Sequence, residues 1–318
     1  MSAPIVPPPA RTASETTRDG AGSARSAGRA LRRRRTVAGW TFIMPNFLGF
    51  VLLTLGPVLA LFYIAFTKWS AFGSPQFTGL ENFERLIGDK IFWTSFGNTL
   101  YYSAIHIPVT FVVSLSLALL LNEKMRGRAF FRSAAFFPYF TSIVAVAQVW
   151  NMLFSPEFGP VNQLLRFIGL ENPPDWVASS TWAMPAVIIV GIWRDAGYFM
   201  LLFLAGLQSI NPELHEAAKM DGANWLERIF NVTIPGLRPT MFFVTVMLTI
   251  NSFKVLDLIL VMTGGGPGNS TLVLSQYIYR MGFERNDFGY ASTISVVLFA
   301  LCMIVTIIQF TYNRRAEK

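Results

Sequence analysis

The sequence is poor in the residues that build metal centres, disulfide frameworks and water-facing surfaces. It holds one cysteine, Cys302, so no intramolecular disulfide can form. Its two histidines, His106 and His215, are far apart in the chain, and we expect neither a metal site nor a cofactor. Only 14% of the residues are charged, against about 25% in soluble domains. Since 53% are hydrophobic and the mean hydropathy is +0.44, the composition excludes an ordinary soluble enzyme.

The charge that is present concentrates at the N-terminus. The net charge is +8, and the first 35 residues hold eight arginines against Glu15 and Asp19. The other residues of this segment are mostly small or polar, which predicts a disordered tail over residues 1–36. Arg32 to Arg35 directly precede an apolar run, as expected for an anchor beside anionic lipid. No aromatic residues interleave with the arginines, which argues against a nucleic-acid-binding arm.

Six long apolar runs follow this tail. Each exceeds the length of about 20 residues that a helix needs to cross a bilayer. The first run is also longer than the apolar region of a signal peptide, and no small-residue cleavage site closes it. The sequence therefore predicts an all-α integral membrane protein with six transmembrane helices. The runs cover residues 40–66, 96–121, 133–154, 182–204, 240–262 and 290–312.

Lysine and arginine are unequally divided between the two sides of the predicted spans. Segments on the side of the N-terminus hold 18 of the 26 Lys and Arg residues, and segments on the opposite side hold 6. Because cytoplasmic loops carry the excess of positive residues, we expect both termini to be cytoplasmic. The predicted organisation is a tail at 1–36, a first helix and external loop at 37–94, a five-helix core at 95–313 and a cytoplasmic tail at 314–318.

The loop between the fourth and fifth spans, residues 211–239, is predicted to begin as a helix on the cytoplasmic side. Asn211 suits the N-cap and Pro212 the first helical position. The apolar residues that follow recur at helical spacing, and all but the first are small, which lets another backbone approach closely. They are Leu214, Ala217, Ala218, Gly222 and Ala223. We expect the chain to turn at Gly222 before Trp225 leads back to the membrane. Two interpretations stay open: a helix packed on its own protein at the membrane surface, or a protruding helix that docks in a partner's groove.

This loop also carries a recognisable motif. Its residues are Glu216-Ala217-Ala218, Asp221-Gly222-Ala223 and Ile234-Pro235. The pattern resembles the EAA loop of binding-protein-dependent ABC importers, although Val232 and Ile234 stand where other members often have Ile and Leu. Further stretches resemble the carbohydrate-importing branch, namely Thr263 to Pro267, Gly127-Arg128, Phe131-Arg132 and Gly191 to Trp193. Over residues 96–312 the chain thus resembles a permease subunit of the maltose and glycerol-3-phosphate importer type.

The resemblance implies a division of labour between subunits. In that family the EAA loop is a coupling helix that seats in a cleft of a separate ATPase, and the matching residues here are Glu216, Ala217, Ala218, Asp221 and Gly222. It further implies a second, homologous permease, a pair of ATPase subunits and an external sugar-binding lipoprotein, all at a bacterial cell membrane. The chain itself contains no Gly-x₄-Gly-Lys-Ser/Thr phosphate loop. We therefore expect a transport subunit that is not an enzyme and has no nucleic-acid partner.

Four charged residues fall inside the predicted spans. A charge in the membrane costs about 2.5–3.5 kcal/mol on insertion scales, so each should face the bundle or a wet cavity. Arg194 and Asp195 are neighbours in the fourth span, and we expect them to point to different sides and find separate partners. In the fifth span, taken as one continuous helix, Asn251, Lys254 and Asp257 lie on an arc of about 120°. Lys254 and Asp257 can then pair along one face.

Two interpretations of these residues stay open. They are either interhelical pairs that fix the packing of the bundle, or a polar wall that faces the sugar. The wall would consist of Asn251, Lys254, Asp257 and Arg194, and we expect Arg194 to be within reach of Asp257. His106 is expected to be a core histidine rather than a proton relay.

Two other classes of protein compete with the importer subunit. In an ion-coupled secondary transporter, the charges of the fourth and fifth spans would form an ion or proton relay. That class often has internal repeats, and the two halves of this sequence show none. A membrane-bound enzyme would need clustered carboxylates or histidines, which the sequence does not contain. The importer subunit is therefore the preferred hypothesis.

Overall fold

The computed structural model describes residues 39–70, 73–123 and 125–316. The disordered tail predicted at residues 1–36, with its arginines, lies outside the described residues. The chain divides into two compact units, one ending at Ala60 and the other beginning at Leu61. Each is described by itself below.

The described chain is mainly helical. Helix α1 is Gly39–Ile64, with a π-helical turn at Val51–Leu55. A hairpin of two short antiparallel strands follows, β1 at Thr67–Lys68 and β2 at Gln76–Phe77. The remaining helices are α2 Glu81–Gly88, α3 Lys90–Asn122, α4 Arg128–Phe140, α5 Ile143–Leu153, α6 Pro160–Phe167, α7 Ala183–Ser209, α8 Pro212–Met220, α9 Trp225–Gly236, α10 Arg238–Phe253, α11 Asp257–Met262, α12 Leu274–Tyr279 and α13 Phe288–Ala316.

Four of these helices are long and apolar enough to cross a membrane: α1, α3, α7 and α13. Two bent pairs have the same character when each is taken as one span, α4 with α5 and α9 with α10. The part of the chain that the structure describes thus offers four spans, or up to six. The apolar runs predicted from the sequence fall on these helices, except that the fifth run continues from α10 into α11. The count of six spans and the side of each terminus stay predictions.

The structure departs from the predicted all-α fold and from straight spans at three places. The β1–β2 hairpin was not expected. The third span bends by 98° between α4 and α5, just after Pro138, which has no N–H to donate to the preceding turn. The fifth predicted span, residues 240–262, is broken where α10 ends at Phe253 and α11 begins at Asp257. The assumption of one continuous fifth helix was therefore wrong.

Helix α7 lies at the centre of the packing and is the most buried of the four long helices. It contributes buried side chains to the cores shared with α3, α10 and α11. Gly197 allows α4 to approach it closely, because a Cβ atom at this position would collide with the carbonyl of Ala135. Small residues at helix contacts are typical of membrane bundles, in which van der Waals packing rather than the hydrophobic effect holds the helices together.

The C-terminal end of α3 is capped by two arginines of α4. Arg132 donates from Nη2 to the Leu121 carbonyl at 2.8 Å, and Arg128 donates from Nη1 to the Asn122 carbonyl at 3.4 Å. Both carbonyls belong to the last turn of α3, which has no further helical N–H groups to bind. The two cations also oppose the negative end of the helix dipole. The Gly-Arg and Phe-Arg pairs singled out in the sequence thus fix how α4 begins against α3.

Candidate translocation cavity and coupling helix

A polar cavity of about 250 Å³ lies between α3, α4, α7 and the break between α10 and α11. All four residues predicted for a substrate pathway line it: Arg194, Asn251, Lys254 and Asp257. Four further polar or aromatic side chains share the wall, namely Tyr102, His106, Tyr139 and Asp195. The cavity therefore presents two cations, two carboxylates and an amide beside two phenol rings.

The helix break exposes the two charges of the fifth span. Lys254 caps the C-terminal end of α10, where free carbonyls favour a cation, and Asp257 lies in the first turn of α11, where free N–H groups favour an anion. The Ser275 hydroxyl donates to the Val255 carbonyl, which the break releases from helical bonding. No ion pair joins Lys254 to Asp257 among the described residues. The expected pairing along one helical face was therefore wrong.

Arg194 and Asp195 also differ from expectation. They do not point to different sides with separate partners: both line the cavity, and Arg194 Nη1 lies 3.8 Å from Asp195 Oδ1. The Arg194 guanidinium carbon lies 5.5 Å from the centre of the Tyr139 ring, which itself stacks on Tyr198 at 4.5 Å. The guanidinium thus lies beside the Tyr139 ring. In the described part of the chain it makes no ion pair with Asp257.

His106 is buried, as expected for a core histidine, but it also belongs to the cavity wall. Its side chain is 1% exposed and stacks on Tyr102 with ring centres 4.9 Å apart. Its Nδ1 lies 3.0 Å from the Ser252 hydroxyl, and its Nε2 lies 3.4 Å from Asp195 Oδ2. Sequence reasoning missed Tyr102, Tyr139 and the cavity position of Asp195. The signal available for them was weak, since aromatic residues are common in every span.

The EAA segment forms a short exposed helix. Asn211 caps α8 by accepting from the Glu213 N–H at 3.0 Å, and Pro212 occupies its first position, as predicted. None of its residues is buried. Gly222 ends the helix with φ at +83°, a conformation that glycine adopts without strain. The turn leads to a second N-cap, Asn224, and so to α9. The predicted turn at Gly222 is thereby confirmed.

Large apolar side chains on and beside α8 are exposed. Met220 is 84% exposed, and Leu214, Trp225 and Phe230 are also exposed. His215 faces a small cavity of about 80 Å³ that Leu119 and Glu123 at the end of α3 help to line. One side of α8 thus rests near the bundle, while most of its surface is open. This arrangement agrees better with a protruding docking helix than with one packed away on its own protein.

A larger hollow of about 660 Å³ lies near the start of α3, on the loops predicted to be external and away from α8. The β1–β2 hairpin, α2 and the segment before α13 form its walls. Arg85 and Asp287 pair across it at 2.7 Å, while Lys68, Glu81 and Arg285 are exposed at its rim. Most of the side chains that line it are polar, and Trp69 adds an aromatic ring.

Comparison with known proteins assigns the family. Residues 110–318 match the family described as "Binding-protein-dependent transport system inner membrane component". The chain is 31% identical to a trehalose/maltose transport permease of Thermococcus litoralis over 89% of its own length and 96% of that protein. It is 35% identical to a lactose transport permease of Rhizobium radiobacter, covering 91% and 97% of the two chains.

The fold is similar to that of solved transporters. A chain of a bacterial ABC transporter for the import of the acidic polysaccharide alginate superimposes with a TM-score of 0.79 at 26% identity, covering 91% of this chain and all of that one. A chain of a bacterial alginate ABC transporter in complex with an alginate-pentasaccharide-bound periplasmic protein gives a TM-score of 0.79 at 26% identity, covering 90% of this chain and 96% of that one. Both its sequence and its fold therefore place this chain in the binding-protein-dependent transport system inner membrane component family, as a multi-pass cell-membrane permease of the sugar ABC importer type.

Proposed function

We propose that this chain forms half of the sugar pathway of an ATP-driven importer, together with a second, homologous permease. The observation that carries the proposal is the cavity that joins Arg194, Asn251, Lys254 and Asp257 within an apolar helical bundle. A sugar that enters the protein loses many hydrogen bonds to water. The wall of its pathway must therefore supply donors and acceptors that replace them. Lys254 and Arg194 donate, Asp257 accepts and Asn251 does both.

The break in the fifth span supports this role. Broken helices at membrane depth are tolerated where they line a cavity, and transporters commonly bind substrate beside them. Lys254 and Asp257 lie at the two helix ends that the break creates and are both exposed. Purely structural ion pairs would be expected to contact each other in a buried site. Their exposure toward the cavity favours the sugar-facing interpretation over that of packing pairs.

Helix α8 supplies the proposed coupling to the ATPase. Its exposed surface combines small residues, Ala217 and Gly222, with the large apolar Leu214 and Met220. The small residues admit a partner's backbone and the large ones fill its groove, as in helix-in-groove recognition. Glu216 and Asp221 are also exposed, available to donors of the ATPase. Closure of an ATPase dimer would then move α8 and, through α7 and α9, the helices that line the cavity.

The 660 Å³ hollow is the proposed seat of the external sugar-binding protein. Its wall is mostly polar and charged and includes the aromatic Trp69, which suits a protein interface better than a lipid-facing surface. The solved alginate transporter that resembles this chain binds a periplasmic protein that carries the pentasaccharide. Arg85 neutralises Asp287. The other charged residues of the wall are Lys68, Arg285 and Glu81, which make no ion pair among the described residues. Two cations against one anion favour an acidic partner surface.

The test is reconstitution of the complete transporter in proteoliposomes. The chain is co-expressed with the second permease, the ATPase and the binding protein, and the binding protein is purified with its endogenous ligand to identify the sugar. We expect uptake that requires ATP inside and binding protein outside, with ATP hydrolysis stimulated by the loaded binding protein. Uptake that proceeds without ATP and collapses with a protonophore would instead establish an ion-coupled secondary transporter and refute the proposal.

A further inference from the structure

We propose that His106 is a positioning residue that holds the Asp195 carboxylate at the cavity wall, where it accepts hydrogen bonds from sugar hydroxyls. The proposal rests on the sugar pathway proposed above and adds a residue with a role distinct from the four predicted ones. Its basis is the buried imidazole of His106, which contacts residues of three helices. The ring stacks on Tyr102 of α3, and its two nitrogens face Ser252 of α10 and Asp195 of α7. No other cavity residue connects α3, α7 and α10 in this way among the described residues.

The position of the ring is fixed from three sides. It stacks on Tyr102, one turn earlier on α3, with the ring planes inclined by 14°. Its Nδ1 is bonded to Ser252 of α10 at 3.0 Å. On the third side stands Gly191 of α7, where a Cβ atom would lie 2.7 Å from the Tyr102 hydroxyl and 3.3 Å from His106 Nε2. A larger residue at position 191 would displace the side chains of Tyr102 and His106. This close approach explains why glycine occupies the first position of the Gly191 to Trp193 motif.

The surroundings assign the protons of this group. A neutral imidazole has one donor and one acceptor nitrogen. If Ser252 donates to Nδ1, then Nε2 carries the hydrogen and points at Asp195 Oδ2, 3.4 Å away. The opposite tautomer would aim a lone pair at the carboxylate, which is unfavourable. Nε2 has no other hydrogen-bond partner among the described residues, so a shift of a few tenths of an ångström completes the bond to Asp195.

This contact decides where the carboxylate points. Asp195 has two neighbours that attract it, His106 at 3.4 Å and Arg194 at 3.8 Å. Without the imidazole, the carboxylate would turn fully toward the guanidinium, and both would withdraw from the sugar. With the imidazole in place, one oxygen faces Nε2 and the other Arg194 Nη1. Each carboxylate oxygen has a second lone pair, which remains for a sugar hydroxyl.

Two polar amide substitutions separate positioning from packing. His106→Gln places an amide nitrogen near the Nε2 position and keeps a donor toward Asp195. His106→Asn places its amide near the Nδ1 position, so it keeps a partner for Ser252 but is too short to reach Asp195. Both retain a polar, hydrogen-bonding group in the buried site. A purely structural histidine predicts similar behaviour of the two variants, whereas a positioning role predicts that they differ.

The complete transporter is reconstituted with each variant, and uptake of radiolabelled maltose, trehalose and lactose is measured together with ATP hydrolysis. For the sugars that wild type imports, we expect His106→Asn to lower uptake about tenfold, the loss typical of a hydrogen bond to a charged group. Its ATP hydrolysis stimulated by loaded binding protein stays within twofold of wild type. His106→Gln retains most uptake. Asp195→Asn lowers uptake by a similar factor, and adding His106→Asn to it causes no further loss.

Three outcomes overturn the proposal: equal uptake by the two variants, additive losses in the double variant, or failure of His106→Asn to accumulate in the membrane. The last would show that the histidine is a packing residue. Failure of the proposed function has a different signature. Wild type would then import none of the three sugars, and its ATP hydrolysis would not respond to loaded binding protein.

Discussion

The Asp89 carboxylate accepts a hydrogen bond from the Tyr290 hydroxyl at 2.6 Å and so ties the start of α3 to the start of α13. The same carboxylate oxygen accepts from the Tyr277 hydroxyl at 2.5 Å, and the other oxygen caps α3 through the Ile91 N–H at 2.8 Å. The Arg85 guanidinium lies 4.0 Å above the Tyr290 ring. One carboxylate thus joins three helices at the end of the bundle that we predict to be external.

Asp89→Asn is expected to destabilise the protein near neutral pH. Burial raises the pKa of Asp89, whereas hydrogen bonds from the two tyrosine hydroxyls and from the backbone N–H groups of Ile91 and Phe92 lower it. The lowering is the larger effect, so the pKa of Asp89 lies below its ordinary value. The ionised Asp89 carboxylate therefore stabilises the folded protein at pH values above its unfolded pKa of about 3.9. This stabilisation is lost as the pH falls through the folded-state pKa. Losing charge-assisted bonds costs about 1–3 kcal/mol.

Thermal unfolding in detergent at pH 7, 5 and 3.5 checks this expectation. The difference between wild type and Asp89→Asn should be largest at pH 7 and shrink at pH 3.5. Asp175→Asn, a change at an exposed carboxylate, is the matched control and should leave the unfolding temperature unchanged at all three values. A difference for Asp89→Asn that does not depend on pH would contradict the role assigned to its charge.

The orientation of the chain gives a prediction that does not depend on transport. Residues after α6 are predicted to be external and those after α8 cytoplasmic. An alkaline phosphatase fused after Asn172 should therefore be active, and one fused after Asp221 inactive. Green fluorescent protein at the same two sites should give the opposite pattern. The reverse result at either site would show that the termini are not cytoplasmic.

The cavity charges are expected to affect sugar uptake without affecting assembly. Lys254→Ala and Asp257→Ala each remove a charged group that faces the cavity and makes no ion pair among the described residues. Uptake should fall about tenfold or more, since hydrogen bonds to charged groups contribute about 1.5–3 kcal/mol. Membrane accumulation should match wild type and the control Lys90→Ala, which lies outside the cavity. If both variants disappear from the membrane, the residues are structural and the sugar-facing interpretation is wrong.

The sequence predicted the apolar helices because membrane thickness alone determines their length and composition. It also predicted the N-cap at Asn211 and the turn at Gly222, since capping and positive φ depend on residues close in the chain. The break in the fifth span could not be predicted, because no proline or glycine lies between Asn251 and Asp257. At the break, the Ser275 hydroxyl donates to the Val255 carbonyl, a contact between residues 20 positions apart that local sequence does not reveal.

The residues of the translocation cavity were also predicted only where local sequence determines their position. Charges inside apolar runs indicated three of the four predicted cavity residues, Arg194, Lys254 and Asp257, because burying a charge in the membrane is costly wherever it occurs. The predicted pairing of Lys254 with Asp257 failed, since it assumed a continuous helix. Asp195 and Tyr139 were missed or misplaced because their position depends on how α4 bends toward α7. The sequence thus indicates which groups must be accommodated, while the packing decides what they face.

The external hollow gives a prediction about the binding protein. Arg285→Glu reverses a charge at its rim without disturbing the pair between Arg85 and Asp287. The concentration of binding protein that half-maximally stimulates ATP hydrolysis should rise about fivefold, mainly through slower association, and the effect should weaken at high salt. Arg166→Glu on α6, outside the hollow, should behave as wild type. An equal effect of both variants would point to a general charge effect and remove the docking role of the hollow.

The coupling helix gives the sharpest test of ATPase docking. Gly222→Leu adds a bulky side chain to a surface that we propose is packed in a partner's groove, where overpacking costs about 1–3 kcal/mol. It also strains the backbone, since φ is +83°. Glu216→Lys places a cation near the positive end of α8 and removes an acceptor. Both variants should reach the membrane but lose co-purification with the ATPase, stimulated ATP hydrolysis and sugar uptake together.

The backbone strain at Gly222 needs a control of its own. Gly169 has φ at +98° and no neighbour within reach of an added Cβ atom, and it lies on a loop predicted to be external. Gly169→Leu therefore introduces the same kind of strain away from the proposed interface and should retain the ATPase. If Gly222→Leu and Glu216→Lys both recover normal amounts of ATPase and transport sugar normally, α8 has no docking role. If Gly169→Leu loses the ATPase as well, strain rather than a blocked groove explains the effect of Gly222→Leu, and the docking role then depends on Glu216→Lys alone.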